Sequence, residues 1–150
     1  MTRHRLHILP LGVSAALAAL ATPALAGRPD APRAVVAAKF AAVNRHAVAD
    51  IVAFYAPDAK VTASDFCKPR QGRADVERTY QALFAAVPDV VADVQDYIVE
   101  GDRVAVRFVV RSRLPGRTFD VPILDVFTVR DGLISEDDGL FDNRGRPCTP

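Results

Sequence analysis

Two carboxylates stand where an apolar pattern leaves little room for them. Between Thr118 and Val129, the residues Phe119, Val121, Ile123, Asp125, Phe127 and Val129 share one face by period-two counting, five apolar side chains and one acid. A lone Asp on a core-facing row has to be paired, hydrogen-bonded or protonated. With no cation near it, its pKa rises, and a carboxylic acid kept neutral in this way can donate a hydrogen bond to a reacting oxygen. The other readings are an Asp bonded to backbone beside a bulge, or a strand whose opposite face is the inner one. The next segment, Leu133–Phe141, is interrupted by Glu136, Asp137 and Asp138. If Leu133 and Phe141 share a face, Ser135, Asp137 and Gly139 lie on it too, and Asp137 faces Asp125 across neighbouring strands. Two close carboxylates push one pKa up, an arrangement suited to acid–base work. A solvated acidic edge that discourages aggregation is the alternative.

Other chemistry is sparse. His46 is the single histidine after residue 26, so no Ser-His-Asp set is available, and its position suits an exposed helix end. Two cysteines, Cys67 and Cys148, with one histidine do not make a four-ligand zinc set, so no metal site is expected.

The elements that must position these residues read as helices first and strands after. Residues 27–33 form a Pro-containing linker. Residues 33–46 are Ala-rich, with Val35, Val36, Lys39, Phe40 and Val43 on one helical face. A short helix over 47–55 follows, ended by Pro57 and Asp58. Residues 59–63 are a strand, 64–72 a loop, and 73–86 a third helix with Val76, Tyr80, Leu83 and Phe84 as its stripe. Four strands are predicted over 90–99, 103–114, 118–129 and 133–141. Gly101-Asp102, Pro115-Gly116 and Asp131-Gly132 turn the chain between them. In 103–114, Val104, Val106, Phe108 and Val110 alternate with Arg103, Arg107, Arg111 and Arg113, the signature of one buried and one wet face. The expected class is α+β: a bent antiparallel meander with helices on one face.

Residues 1–26 read as a secretory leader. Arg3 and Arg5 precede an apolar run from Ile8 to Ala21, and Pro23 and the triplet Ala24-Leu25-Ala26 place cleavage between Ala26 and Gly27. The run is too short to span a bilayer, which takes about 20 apolar residues. Removing the leader leaves 17 basic against 18 acidic residues, net −1. That leaves no basic surplus for a phosphate backbone and argues against nucleic-acid binding. In an exported chain, periplasmic or secreted, Cys67 and Cys148 suggest one disulfide between the tail and a mid-chain loop.

Several stretches together carry a resemblance. Phe40-Ala-Ala-Val-Asn44, Phe54-Tyr55-Ala-Pro-Asp58-Ala, Gly72-Arg-Ala-Asp-Val-Glu-Arg-Thr-Tyr80, Leu124-Asp125-Val126-Phe127 and Asp131-Gly132-Leu-Ile134 resemble, in order and spacing, the SnoaL-like branch of the NTF2-like superfamily. The resemblance covers residues 34–142, with 143–150 left as a tail. It implies a cone in which three helices close a curved sheet around a deep pocket, often as a homodimer. It places Phe40, Tyr55, Ala63, Val106, Phe108 and Phe127 along that pocket. Set against the ketosteroid isomerases of the superfamily, Asp125 matches their oxyanion-hole aspartic acid, and Tyr55 and Tyr80 match two tyrosines of their hydrogen-bond network. Their general base falls on Ala63 and their oxyanion tyrosine at or beside Phe40, so that mechanism does not transfer intact. Asp65, two positions beyond Ala63, and Asp137 are the substitute bases.

Two functions follow. One is cofactor-free proton transfer on a small apolar cyclic compound, of isomerase, cyclase or dehydratase type. Asp137 or Asp65 would be the base, and Asp125 with Tyr80 would donate to a developing oxyanion. The other is non-catalytic binding of a lipophilic ligand, or a dimeric accessory role. Convergence of Asp125, Tyr80 and a second carboxylate in an open pocket would favour the first, and a plugged cone the second. After cleavage no membrane attachment is expected.

Overall fold

The computed structural model describes residues 31–149. The leader, its cleavage site at Ala26-Gly27 and residues 27–30 of the linker lie outside them.

Three helices come first, α1 (Ala31–Asn44), α2 (Val48–Ala53) and α3 (Gly72–Ala86). Helix α1 begins inside the stretch read as linker. Pro32 sits in its first turn, where a missing N–H costs nothing. Its Ala content favours helix, and Val36, Lys39, Phe40, Ala42 and Val43 make its buried face. Asn44 ends the helix and clasps the sheet. Its Nδ2 donates to the Ala92 carbonyl (3.0 Å) and its Oδ1 accepts from the Ala92 N–H (2.8 Å). The side chain thus mimics a strand partner on an otherwise open edge.

Six strands form one sheet: β1 (Tyr55–Ala63), β2 (Arg70–Gln71), β3 (Val91–Glu100), β4 (Arg103–Ser112), β5 (Phe119–Arg130) and β6 (Leu133–Leu140), in the order β2-β1-β6-β5-β4-β3. The expected antiparallel meander is β3 to β6. One pairing departs from it, because β1 runs parallel to β6. Strand β1 also starts before residue 59. Pro57 is accommodated because the register shifts between Tyr55 and Lys60, so its absent N–H leaves no gap in the ladder.

The inner row of β5 is as the period predicts, with Asp125, Phe127 and Val129 buried. Strand β6 keeps no such single phase. Val129 pairs with Ile134 but Thr128 pairs with Glu136, so Ser135 is an extra residue. Ile134 is buried before this bulge and Asp137 and Gly139 after it. Leu133 therefore does not share the face of Asp137, contrary to the expected alternation. The bulge itself turns Asp137 inward; unbroken alternation from Ile134 would have sent Glu136 and Asp138 there.

The core lies between α1 and the inner sheet face. Phe40 meets Phe108 and Phe127 edge-on, at ring separations of 4.8 and 5.8 Å. Cys67 and Cys148 are joined, as a pair of cysteines behind a leader-like segment suggested, with a Cα–Cα distance of 4.9 Å.

Gly72 joins β2 to α3 at φ +73°, and a Cβ there would lie 2.7 Å from the Pro57 carbonyl oxygen. The next residue, Arg73, donates from Nε to the Tyr55 carbonyl (2.7 Å). Gly72→Ala is expected to destabilise the fold by about 2 kcal/mol or more, since backbone strain and the contact add. Urea denaturation of the two proteins measures it, and an unchanged midpoint would refute the reading.

Candidate functional site

The helices leave a cavity of about 750 Å³ against the inner sheet face, within the usual size of a small-molecule pocket. Most of its wall is apolar, including Phe40, Val43, Leu83, Phe108 and Ile123. Among its polar lining residues, five meet from five different elements: Lys39 of α1, Tyr55 of β1, Tyr80 of α3, Asp125 of β5 and Asp137 of β6.

The two acids sit diagonally on adjacent strands, because Phe127 pairs with Asp137 and Asp125 with Gly139. Both are buried, 7% and 6% exposed. They face the same cavity from neighbouring strands, and the Asp125 carboxyl is held well above the usual carboxylate range, first by burial and then by the Asp137 charge. Like charges this close hold one proton between them. Tyr55, fully buried, donates its hydroxyl to Asp137 Oδ2. Burial and the Asp137 charge raise the Tyr55 phenol well above its ordinary value, so it stays a donor.

Lys39 supplies the balancing charge. Its ammonium is hydrogen-bonded to Tyr80 and packs over Phe40 (4.3 Å) and Phe127 (4.7 Å). Burial works against the charged form, yet Tyr80, Asp137 and Asp125 more than offset it and hold the lysine above its ordinary value. Burial also raises Tyr80, with Lys39 opposing. One ammonium and one carboxylate leave the polar end of the cavity neutral.

One atom is left over. Asp125 Oδ1 is buried and has no hydrogen-bond partner. A Cβ on Gly139 would lie 3.5 Å from it and 3.8 Å from the Ala63 Cβ, so the bare glycine and small Ala63 give this oxygen room. Polar atoms in such places normally find a partner.

The structure brings together Asp125, Asp137, Tyr80 and Tyr55, and puts Phe40, Ala63 and Phe108 on the cavity wall. It separates three others from that site. Val106 and Phe127 are fully buried and do not line the cavity, because α1 covers the sheet where they lie. Asp65 belongs to the rim, half-buried beside Phe66 and Arg70, with its backbone carbonyl engaged by Thr149. His46 bonds the Val90 carbonyl through Nε2 (2.8 Å) and stacks on Phe84, a structural role. Lys39 is the residue that sequence reasoning passed over. Its signal was a lysine on the apolar face of α1, among Val36, Phe40 and Val43. Among the described residues no group of three or more His, Cys, Asp or Glu side chains is placed to hold a metal ion.

The folded-state pKa of Asp125 lies above its unfolded value, so stability is greatest below the unfolded value and falls as pH rises through the folded one. Asp125→Asn keeps the shape and removes that penalty. The variant is expected to melt about 4 °C higher near pH 7, the shift that ~1 kcal/mol produces in a domain of this size. The gain should be nearly gone near pH 3, where Asp125 is largely protonated in both states. Calorimetry at the two pH values checks this.

Comparison with known proteins places the arrangement in a family. IdmH, a candidate polyketide cyclase from Streptomyces antibioticus, is 29% identical, with 75% of this chain and 93% of that one aligned at a TM-score of 0.68. A loop-truncated variant of it is 31% identical over 75% of this chain and 94% of that one, again at 0.68. A candidate polyketide cyclase from Sinorhizobium meliloti is 29% identical over 71% and 93%, at 0.62. No curated protein matches. The profile of the SnoaL-like domain matches residues 36–137, which includes Lys39, Tyr55, Tyr80, Asp125 and Asp137, and the chain belongs to the SnoaL-like domain family.

Proposed function

We propose that this protein is an exported enzyme that moves a proton on an enolisable, ring-forming or cyclic carbonyl compound without a cofactor, as an isomerase or cyclase does. The observation that carries the reading is the buried Asp125–Asp137 pair on adjacent strands of an apolar cavity, beside a buried ammonium. A pair with one proton can take a proton at carbon and return one at oxygen. Tyr80 and Lys39 would donate to the oxyanion that develops between the two steps. The cavity is open, which favours catalysis over a plugged scaffold. The description of IdmH and of the Sinorhizobium meliloti protein as candidate cyclases supports a polyketide-like substrate. Export rests on the leader pattern of residues 1–26 and on the Cys67–Cys148 bridge, which persists in oxidising compartments.

A homodimer fits the outer sheet face, where Leu124 and Leu140 are exposed and pair across β5 and β6. Light scattering of the purified protein tests it, and a monomer at all concentrations refutes it.

The function is tested by carboxyl-labelled NMR of Asp125 against pH, with and without a panel of cyclic 1,3-diketones, together with deuterium uptake at their acidic carbon. A raised Asp125 pKa that responds to a diketone, with protein-dependent uptake, is expected. A raised pKa with binding but no uptake would leave the ligand-binding alternative in its place.

A further inference from the structure

The C-terminal tail lies beyond residue 137, where the family match ends, and contributes nothing to the proton transfer proposed above. Even so, Phe141, Arg146 and Thr149 line the cavity, on the rim that carries Asp65, Phe66 and Arg70. The tail is fixed at two places. At its start, the Phe141 N–H donates to Ser64 Oγ (3.0 Å) and Asn143 Nδ2 donates to the Ser64 carbonyl (3.3 Å). At its end, the Thr149 N–H donates to the Asp65 carbonyl (2.6 Å) and the Cys67 N–H donates to the Thr149 carbonyl (2.9 Å). Arg70, stacked over Phe66 at 4.8 Å, reaches Thr149 Oγ1 at 3.4 Å. Beside these contacts stands the Cys67–Cys148 bridge.

Between the two anchors the tail is held by hydrogen bonds within itself, among Asp142, Asn143, Arg144, Gly145 and Arg146. Residues 142–146 are Asp, Asn, Arg, Gly and Arg, with no hydrophobic side chain to bury. Arg144 and Gly145 turn the chain at φ 55° and 68°. The far-end hydrogen bonds involve exposed residues, so water competes for them, and each has to oppose the conformational entropy of the free tail. A covalent link removes that competition. Both bridged cysteines are exposed and therefore open to attack by a thiolate.

We propose that residues 141–149 form a strap across the mouth of the cavity, fastened by Cys67–Cys148, and that the strap sets how long a neutral apolar ligand stays inside. Reduction unfastens it. With a dithiol such as dithiothreitol, each cysteine sulfur takes up one electron and one proton, and the reagent closes to its cyclic disulfide. The oxidised protein is then the retaining form and the reduced protein the releasing form. The inference stands apart from the catalytic reading, since a strap acts on any apolar occupant.

The probe is N-phenyl-1-naphthylamine, neutral and fluorescent in apolar surroundings, with its release followed by stopped flow. Release is expected to be about tenfold faster from dithiothreitol-treated protein and from the Cys67→Ser/Cys148→Ser variant than from oxidised protein, an effect on dissociation rather than association. Binding that occurs only after reduction would also support the strap. Equal release rates from folded oxidised and reduced protein, or no binding to either, would overturn it. If reduction unfolds the chain, Arg146→Ala/Thr149→Ala with the bridge intact decides: faster release supports the strap, and an unchanged rate overturns it. Deuterium uptake by cyclic diketones reads the Asp125–Asp137 pair separately, so loss of either proposal leaves the other measurable.

Discussion

Replacing Asp137 by Asn is expected to lower the catalysed deuterium exchange of a cyclic 1,3-diketone by about 10²–10⁴-fold, the usual worth of a positioned acid–base group. Asp125→Asn should cost about as much, and the double variant little more than either single one. The reason is geometric. The two carboxyls lie on adjacent strands, and the Asp137 charge helps to hold the proton on Asp125, so the pair works as a unit. An amide at either position leaves a pair that cannot both accept and donate, and groups that act as a unit lose their effect together. Asn is close to isosteric, so the cavity and the Tyr55 contact at position 137 are disturbed little. In the parent protein the rate should pass through a maximum with pH, since both the doubly protonated and the doubly ionised pair are inactive; the two limbs belong to the pair. Single-turnover exchange followed by NMR measures the rates. A double variant that loses the product of the two single effects would show that the acids work independently, and full activity in either single variant would remove the pair from the mechanism.

Lys39→Met is expected to destabilise the fold by about 3–5 kcal/mol near neutral pH, the typical cost of leaving a buried charge without its partner. Methionine has similar length and no polar head, so loss of packing is not the main cause. The ammonium is 3% exposed and lies against Tyr80 and the two acids. Without it, an uncompensated carboxylate remains in an apolar cavity. The pair then has to take up a second proton or bear the desolvation cost. In the parent, the folded Lys39 pKa lies above its unfolded value, so its stabilising contribution is fully present below pH 10.5 and is lost only as pH rises through the folded value. The deficit of the variant should shrink towards pH 4, where neutral acids no longer require a cation. Adding Asp137→Asn to Lys39→Met should recover much of the loss, because it removes the charge that was left unpaired. Urea denaturation of the four proteins of this cycle at pH 7 and pH 4 is the measurement. A Lys39→Met protein as stable as the parent at pH 7 would mean that the cavity does not hold the charges in this balance.

Local periodicity carried a large share of the architecture. Alternation within single strands put Asp125 on the buried row, and breakers such as Gly101-Asp102 and Asp131-Gly132 marked the turns correctly to within a few residues. Val36, Phe40 and Val43 announced the inner face of α1. The Cys67–Cys148 pairing followed from having two cysteines behind a leader-like segment. These are properties of neighbouring residues, and the backbone repeats of 3.6 and 2.0 convert them directly into faces.

The site itself depended on relations the chain does not write locally. Asp137 faces inward because Ser135 bulges out of register, which depends on how β6 pairs with β5 and not on the order of residues in β6. The parallel contact of β1 with β6 joins residues 76 to 79 positions apart in sequence, and sets Ala63 beside Gly139 and Asp125. Val106 and Phe127 belong to the same alternating rows as cavity residues, and only the position of α1 over the sheet assigns them to the core. Asp65 sits close to Ala63 in sequence but on the rim in space, where its carbonyl accepts from Thr149 of the tail. Lys39 reads locally as one polar residue on an apolar face. It becomes the counter-charge of the site only when α1, α3, β5 and β6 meet, since a buried ammonium is stable where carboxylates and a phenol from distant elements surround it. The sequence by itself thus determined the elements, their buried faces and one suspicious acid. The tertiary structure decided which polar groups share a cavity, because electrostatic balance and burial are properties of the assembled fold.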